Sequence, residues 1–328
     1  MKMLIAGGLV AAWAAGAAGV GDAADAAGAG EKDGKVDFMP VREAVEHGLV
    51  EVVTVREAAE KYGDAEAQCS LGKMYFEGDG VEKNPAEAAR WFRKAAAQGS
   101  ANAMFSLGVM HELGEGVERD FAKSAAYYRE AAKKGHVTAM YNLAVLYHHG
   151  KGVEKDAKEA FRLYREAADK GFAKAQYNAG AMLVKGEGAA VSKREGVRLI
   201  LAAAEQGDAE AQYHLGWMCY SGDGAAVDKQ GAARWYRMAA DRGHVAAQYN
   251  LAVMYDRGEG VDVDKQAALG LYLKAAEKDY PPAAYNLGWM YEHGDGVETD
   301  KATALKWYRR AAERGYEPAR IAVDALAE

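Results

Sequence analysis

The chain has 328 residues, half of them hydrophobic and only five of them proline, so most of it can bury a core. A net charge of −7 and a pI near 5.7 give no reason to expect nucleic acid as a partner. A mild acidic balance of this size mainly supports solubility.

Residues 1–24 read as a secretory signal peptide. Lys2 supplies a short positive region, residues 3–20 are uncharged and rich in Ala, Gly, Leu and Val, and small residues follow. The rival reading is a retained membrane anchor, which the Ala/Gly content disfavours. The sequence implies a membrane association only if this segment stays uncleaved, and otherwise a secreted or periplasmic protein. Residues 25–37 are small, polar and glycine-rich, and read as a flexible linker. Residues 38–64 read as an N-terminal helical cap, with a start at Pro40 and helix-compatible pieces at 41–46 and 50–62. A repeat array must cover the apolar face of its first unit, so its terminal units are atypical.

The segment Gly78-Asp79-Gly80-Val81 then returns as GEGV at Gly114, GKGV at Gly150, GEGAAV at Gly186, GDGAAV at Gly222, GEGV at Gly258 and GDGV at Gly294. The period is 36 residues and divides the chain into seven units: 65–100, 101–136, 137–172, 173–208, 209–244, 245–280 and 281–316. A fixed period in this range is the signature of a repeat array. Within the unit, position 3 is always alanine, position 7 is leucine except at Ala179, position 8 is Gly or Ala, and position 10 is Met or Leu. Spacings of three and four describe an amphipathic first helix, with small residues where another helix comes close. The glycine at position 14 ends that helix in the left-handed conformation, and the glycine at position 16 lets the chain turn back.

A second helix starts at a capping residue at position 20: Asn84, Asp120, Asp156, Ser192, Asp228, Asp264 or Asp300. Asn84-Pro85-Ala86-Glu87 combines cap, first-turn proline and acid, and Asp156/Glu159 and Ser192/Glu195 repeat the cap-to-acid spacing. Position 28 carries a ring or Ile200, positions 31 and 32 are alanine in all seven units, and glycine closes the helix except at Asp279. Residues 317–328 read as a C-terminal capping helix.

At these residues the chain resembles the Sel-one-like repeat (SLR) family, a relative of the tetratricopeptide repeat. The seventh unit shows the pattern almost unbroken, from Ala283-Ala284-Tyr285-Asn286-Leu287-Gly288 through Tyr291, Gly294, Gly296, Val297, Asp300 and Trp307-Tyr308 to Ala311-Ala312 and Gly315. The resemblance implies an all-α fold, a right-handed superhelical solenoid of seven 36-residue helix pairs with terminal caps. It also implies a non-catalytic adaptor that holds a protein or peptide. Repeat four departs most, at Ala179, Leu183, Gly196 and Ile200, which implies less regular packing there.

Other chemistry is poorly supported. Ser70-Leu71-Gly72-Lys73 matches a Ser-x-x-Lys string of penicillin-recognising enzymes, but the companion S-D-N and K-T-G elements are missing. A hydrolase of β-lactams or cell-wall material is therefore a weak alternative, and a purely structural spacer is another. The glycine pairs follow a helix C-terminus, whereas phosphate sites use N-termini. The acids between them, Asp79, Glu115, Glu187, Asp223, Glu259 and Asp295, read as a solvated edge. Cys69 and Cys219 lie too far apart in a stacked array for a disulfide and read as small buried core residues. The scattered histidines give no metal-ligand spacing, and no cofactor or small-molecule substrate is expected.

The face of the first helix opposite its core stripe is more informative. Position 6 holds Ser70, Ser106, Asn142, Asn178, His214, Asn250 and Asn286; position 9 holds Lys73, Val109, Val145, Ala181, Trp217, Val253 and Trp289. The leading contacts for a partner are Asn142, Asn178, Asn250, Asn286, Trp217 and Trp289, with His214 and Lys73 beside them. Exposed tryptophan on such a face is a frequent binding hot spot.

Overall fold

A computed structural model describes residues 2–6, 12–14, 50–223 and 226–327. The expected linker at 25–37, most of the expected signal peptide, and residues 38–49 of the expected cap lie outside them. Three short strands, β1 (Lys2–Ala6), β2 (Ala12–Ala14) and β3 (Val50–Thr54), pair in the order β2-β1-β3. β1 is antiparallel to β2 and parallel to β3. The expectation of helix over 50–62 is thus corrected: Val50-Glu51-Val52-Val53-Thr54, β-branched at all but Glu51, is extended, and only α1 (Val55–Glu60) is helical.

All the remaining elements are helices. The first helices of the seven repeats are α2 (Ala65–Glu77), α4 (Ala101–Leu113), α6 (Val137–His149), α8 (Ala173–Lys185), α10 (Ala209–Ser221), α12 (Val245–Arg257) and α14 (Pro281–His293). The second helices are α3 (Pro85–Ala97), α5 (Phe121–Lys133), α7 (Ala157–Asp169), α9 (Lys193–Glu205), α11 (Lys229–Asp241), α13 (Lys265–Glu277) and α15 (Lys301–Glu313), and α16 (Glu317–Ala327) follows. The chain divides into two compact units, Met1–Lys155 and Asp156–Glu328. No helix among the described residues is long and apolar enough to cross a membrane.

Local chemistry sets each boundary. The glycine closing every first helix is left-handed, with φ between 68° at Gly150 and 81° at Gly78, and its N–H donates to the residue four before it. The cap at position 20 accepts from the first turn of the second helix, as Asn84 does from Glu87 N at 3.0 Å and Asp228 from Gly231 N at 2.8 Å. Ser192 is the exception and makes no capping bond; Glu195 instead accepts from Arg165 of the preceding repeat. Asp279 replaces the second closing glycine and still adopts φ 57°. Arg310 and Arg314 hold its carboxylate there, at 3.1 and 2.5 Å.

The core of each unit is small residues under rings. Alanine at position 31 is fully buried in all seven repeats, and Tyr128, Tyr164, Tyr236, Tyr272 and Tyr308 at position 28 are at most 2% exposed. These rings lie over position 8 of the partner helix: a Cβ on Gly108 or Gly288 would sit 2.5 Å from Tyr128 or Tyr308. Repeat four keeps its helix pair by compensation. Ile200 replaces the ring and is fully buried. Gly180 and Gly196 face each other so closely that a Cβ on either would lie 2.6 Å from the other's carbonyl oxygen. The two helices close around the smaller side chain, so the departures there belong to one coordinated change.

The second loop glycine does more than turn the chain. A Cβ on Gly116 would fall 2.3 Å from the Pro85 carbonyl carbon, and one on Gly152 would fall 2.2 Å from that of Phe121. In the second unit a Cβ on Gly188 or Gly260 would fall 2.1 Å from Ala157 O or 2.4 Å from Lys229 C. Each loop therefore rests on the first turn of the preceding repeat's second helix. Gly150→Ala should cost about 1–2 kcal/mol for its left-handed backbone. Gly152→Ala should cost a further ~1–3 kcal/mol for overpacking against fixed backbone. Urea unfolding of the two variants checks this, and equal destabilisation would refute the docking role.

Candidate functional site

The solvent face of the first helices is built from positions 2, 9 and 13, with position 6 on its flank, because these lie within one ~100° sector of a helix. Lys73 and Asn142 belong to the first unit; Asn178, His214, Asn250, Asn286, Trp217 and Trp289 belong to the second. Lys73 is exposed and sits 3.8 Å from Glu77, one turn away on the same helix. In the second unit the structure places Asn178, His214, Asn250 and Asn286 on successive first helices, α8, α10, α12 and α14, all half-buried.

In the second unit the two tryptophans are the exposed large apolar side chains of this face; in the first unit Leu113, at position 13, is exposed. Trp217 is 42% and Trp289 41% exposed. Trp289 stacks on His293 at 4.5 Å, and Trp217 lies 6.1 Å from His214. Between and beside them, Ala181 and Val253 are half-buried. The position 9 column of the second unit therefore alternates small and large along α8, α10, α12 and α14. His214 has a buried Nδ1 without a partner. Burial first, and Lys185 second, hold its pKa below the ordinary histidine value, which keeps the ring neutral beside Trp217.

The asparagines have a structural engagement. Asn142, Asn250 and Asn286 face the buried hydroxyls of Tyr128, Tyr236 and Tyr272 of the preceding repeat, which burial drives to raised pKa values and the amides partly relieve. The Tyr272 hydroxyl has no partner in hydrogen-bond geometry. Glu210 on this face is engaged with His244 at 3.3 Å; at the neighbouring position 12, Asp256 pairs with Lys265 at 2.6 Å and Glu292 accepts from Tyr308 at 2.7 Å.

Three features are not what the sequence suggested. The acidic loop edge is not merely solvated: Asp223, Glu259 and Asp295 pair with Lys193, Lys229 and Lys265 of the preceding repeat at 3.2, 3.1 and 2.7 Å. The signal was the 36-residue spacing of those lysines, read only with the loops in place. Cys69 and Cys219 are free and only half-buried, packed against the core rather than fully inside it, and burial raises both thiol pKa values. Finally, two histidines cap first helices: His136 Nδ1 accepts from Ala139 N and His244 Nδ1 from Ala247 N, both at 3.1 Å. Each ring stacks at 4.5 Å on the ring at position 5 of its own repeat, Phe105 or Tyr213. Among the described residues, no group of three or more His, Cys, Asp or Glu side chains could hold a metal ion.

Helix pairs recurring at a 36-residue period, with a variable solvent face, define an α-helical repeat protein. The Sel1 repeat model matches all seven units, 65–100, 101–136, 137–172, 173–208, 209–244, 245–280 and 281–316, and the chain belongs to the Sel1 repeat family. It is similar to a protective antigen of uropathogenic Escherichia coli with an SLR fold, at 34% identity and TM-score 0.78. That match covers 84% of this chain and 59% of the antigen, so the chain spans about three fifths of that relative. It is also similar to a Sel1 repeat protein from Oxalobacter formigenes, at 32% identity and TM-score 0.71, over 88% of this chain and 82% of that one. No curated protein matches the chain. Sel1 repeat proteins are generally protein-interaction scaffolds and are typically non-enzymatic.

The capping His136 sets a pH dependence. Burial holds the His136 pKa below the ordinary value of 6.5, and its capping Nδ1 must be unprotonated to accept. Above the unfolded pKa both states are neutral and the cap is fully present. As pH falls the unfolded chain takes up the proton first, so stability is lost towards and through the lower folded pKa. The melting temperature should fall between pH 7.5 and 5, and His136→Asn, which caps without titrating there, should reduce that fall. An unchanged pH profile in the variant would show that His136 contributes nothing to it.

Proposed function

We propose that this protein is a non-catalytic adaptor, and that its second unit holds an extended protein or peptide segment along the solvent face of α8, α10, α12 and α14. The observation that carries the reading is the pair of tryptophans, each about two-fifths exposed, on first helices two repeats apart. With ~10 Å between stacked helices, the two rings stand roughly 20 Å apart, the reach of about six extended residues at ~3.3 Å each. Half-buried Ala181 and Val253 alternate with the rings, and the flanking amides of Asn178, Asn250 and Asn286 supply polar groups that a peptide backbone can use. Lys73 and Asn142 are the corresponding candidates in the first unit.

Residues 1–24 are proposed to direct export, which would place the mature protein in the periplasm or outside the cell. The support is the charge and small-residue layout of that segment. Intact-mass measurement of the natively expressed protein should give a mature start near residue 25, and a retained Met1 would contradict it.

Trp217→Ala and Trp289→Ala should each weaken partner capture by roughly thirtyfold, the scale of a hot-spot residue. Their side chains are too exposed for a large loss of fold stability, so the melting curve should stay near wild type. Full partner capture by the folded double variant in a cross-linked pull-down would overturn the assignment of this face.

A further inference from the structure

The net charge of −7 conceals a sorting of charge between surfaces of the second unit. The solvent face of its last three second helices is basic. With their C-cap residues, α11 presents Arg234, Arg237 and Arg242; α13 presents Lys274 and Lys278; α15 presents Lys306, Arg309, Arg310 and Arg314. The acids on the same helices and their closing turns are Asp241, Glu277, Asp279 and Glu313. Nine cations against four carboxylates leave a surplus of five, and one of the nine, Arg234, also lies 3.8 Å from the Asp228 cap of its own helix.

Within α15 the cations at 306, 310 and 314 are spaced by one helical turn, an arrangement that repels itself along the helix. The chain shows what such a cluster accepts. The Asp279 carboxylate, in a left-handed turn with φ 57°, is gripped by Arg310 at 3.1 Å and Arg314 at 2.5 Å. Beside it an open cleft of about 610 Å³ is lined by Asp279, Lys306, Arg309, Arg310, Glu313 and Arg314. Among the described residues Lys274, Lys306 and Arg309 form no ion pair, although Lys306 lies near enough to the Asp300 cap to help lower its pKa. Apolar surface lies among these cations: Met238 is 38% exposed, and half-buried Trp307 carries Arg310 at 5.6 Å from its ring.

We propose that this face of α11, α13 and α15 binds an acidic protein segment, whose carboxylates occupy the α15 cleft and the cations one and two repeats before it. Arginine, methionine and tryptophan around a charged cleft are what protein interfaces enrich. The arginine fork matches a carboxylate in two parallel bonds, as Asp279 already demonstrates within the chain. A single-stranded nucleic acid would want a series of aromatic platforms, and Trp307 is already covered by Arg310. The surface lies on the second helices, so it stands independently of the reading of the first-helix face.

The test uses the full chain and a fluorescein-labelled oligoglutamate peptide as probe, read by anisotropy at low and high salt. Wild type should bind it with strong salt dependence. Lys274→Gln/Lys306→Gln/Arg309→Gln should weaken binding by about tenfold or more. Lys174→Gln/Lys185→Gln/Arg257→Gln removes the same charge from the first-helix face and should change it little, as should Trp217→Ala/Trp289→Ala. All six charge positions are exposed, and melting curves confirm that each variant folds. Carbodiimide coupling on wild type gives a second readout, with peptide expected on Lys274, Lys278 or Lys306. Equal losses in both triple variants, coupling spread over other lysines, or tighter binding to phosphatidylglycerol vesicles or heparin than to the peptide would each overturn the proposal.

Discussion

Among the described residues, repeats two, three, four, six and seven each rest on their predecessor through a loop with no room for a side chain at its second glycine. The second glycine of the loop meets the first turn of the preceding second helix at backbone distance: a Cβ there would fall 2.1–2.4 Å from its backbone at Gly188, Gly152, Gly116 and Gly260, and at Gly296 it would fall 2.5 Å from the Lys265 Cβ. In an array of this kind stability is a sum of repeat and nearest-neighbour terms, and this contact is one such neighbour term. The lysine–carboxylate pairs of the second unit span the same junction. Being exposed or partly so, each adds at most about 1 kcal/mol. Backbone proximity therefore sets the spacing of the stack, and the charges trim it.

That spacing frees other positions. Once rings, alanines and glycines have set the separation of the helices, the solvent faces can vary without disturbing the core. Position 9 changes from Lys73 through valine to Trp217 and Trp289 while alanine at position 31 stays fully buried in every repeat. The same holds on the second helices, where exposed positions collect arginine and lysine over α11, α13 and α15. An overall negative charge and a basic surface coexist because the acids gather at loops and caps, where they cap helices or pair with lysines. Net charge alone is a poor guide to what a solenoid can bind.

Much of the architecture was legible because the same residues recur at a 36-residue interval. Repetition turns weak local signals, such as a closing glycine or a capping aspartate, into strong ones, and the repeat boundaries could be read to the residue. Legibility ended where two repeats must be superposed in space. That Gly116 touches Pro85, that Lys229 reaches Glu259, or that Asn250 faces Tyr236 depends on the stacking offset, which no single unit encodes. The compensation of Gly180, Gly196 and Ile200 was likewise hidden, because each departure taken alone looks like damage. The segment at 50–54 was misread because helix-compatible residues follow it directly, while its own β-branched run is short. On the candidate site, the exposure of Trp217 and Trp289 agrees with their helical phase. The asparagines face both ways: towards a possible peptide by position, and towards the preceding repeat's tyrosines by contact.

The central functional claim is that a partner lies along the first-helix face of the second unit, between the two tryptophans. Its most direct measurement is site-specific photo-crosslinking in native extract, with a photoreactive residue at Val253, midway between Trp217 and Trp289, and a control at Asp262 in the adjoining loop. The account predicts one discrete cross-linked species from Val253, absent in the double tryptophan variant, and none from Asp262. No product from Val253, or the same product from both positions, would contradict it.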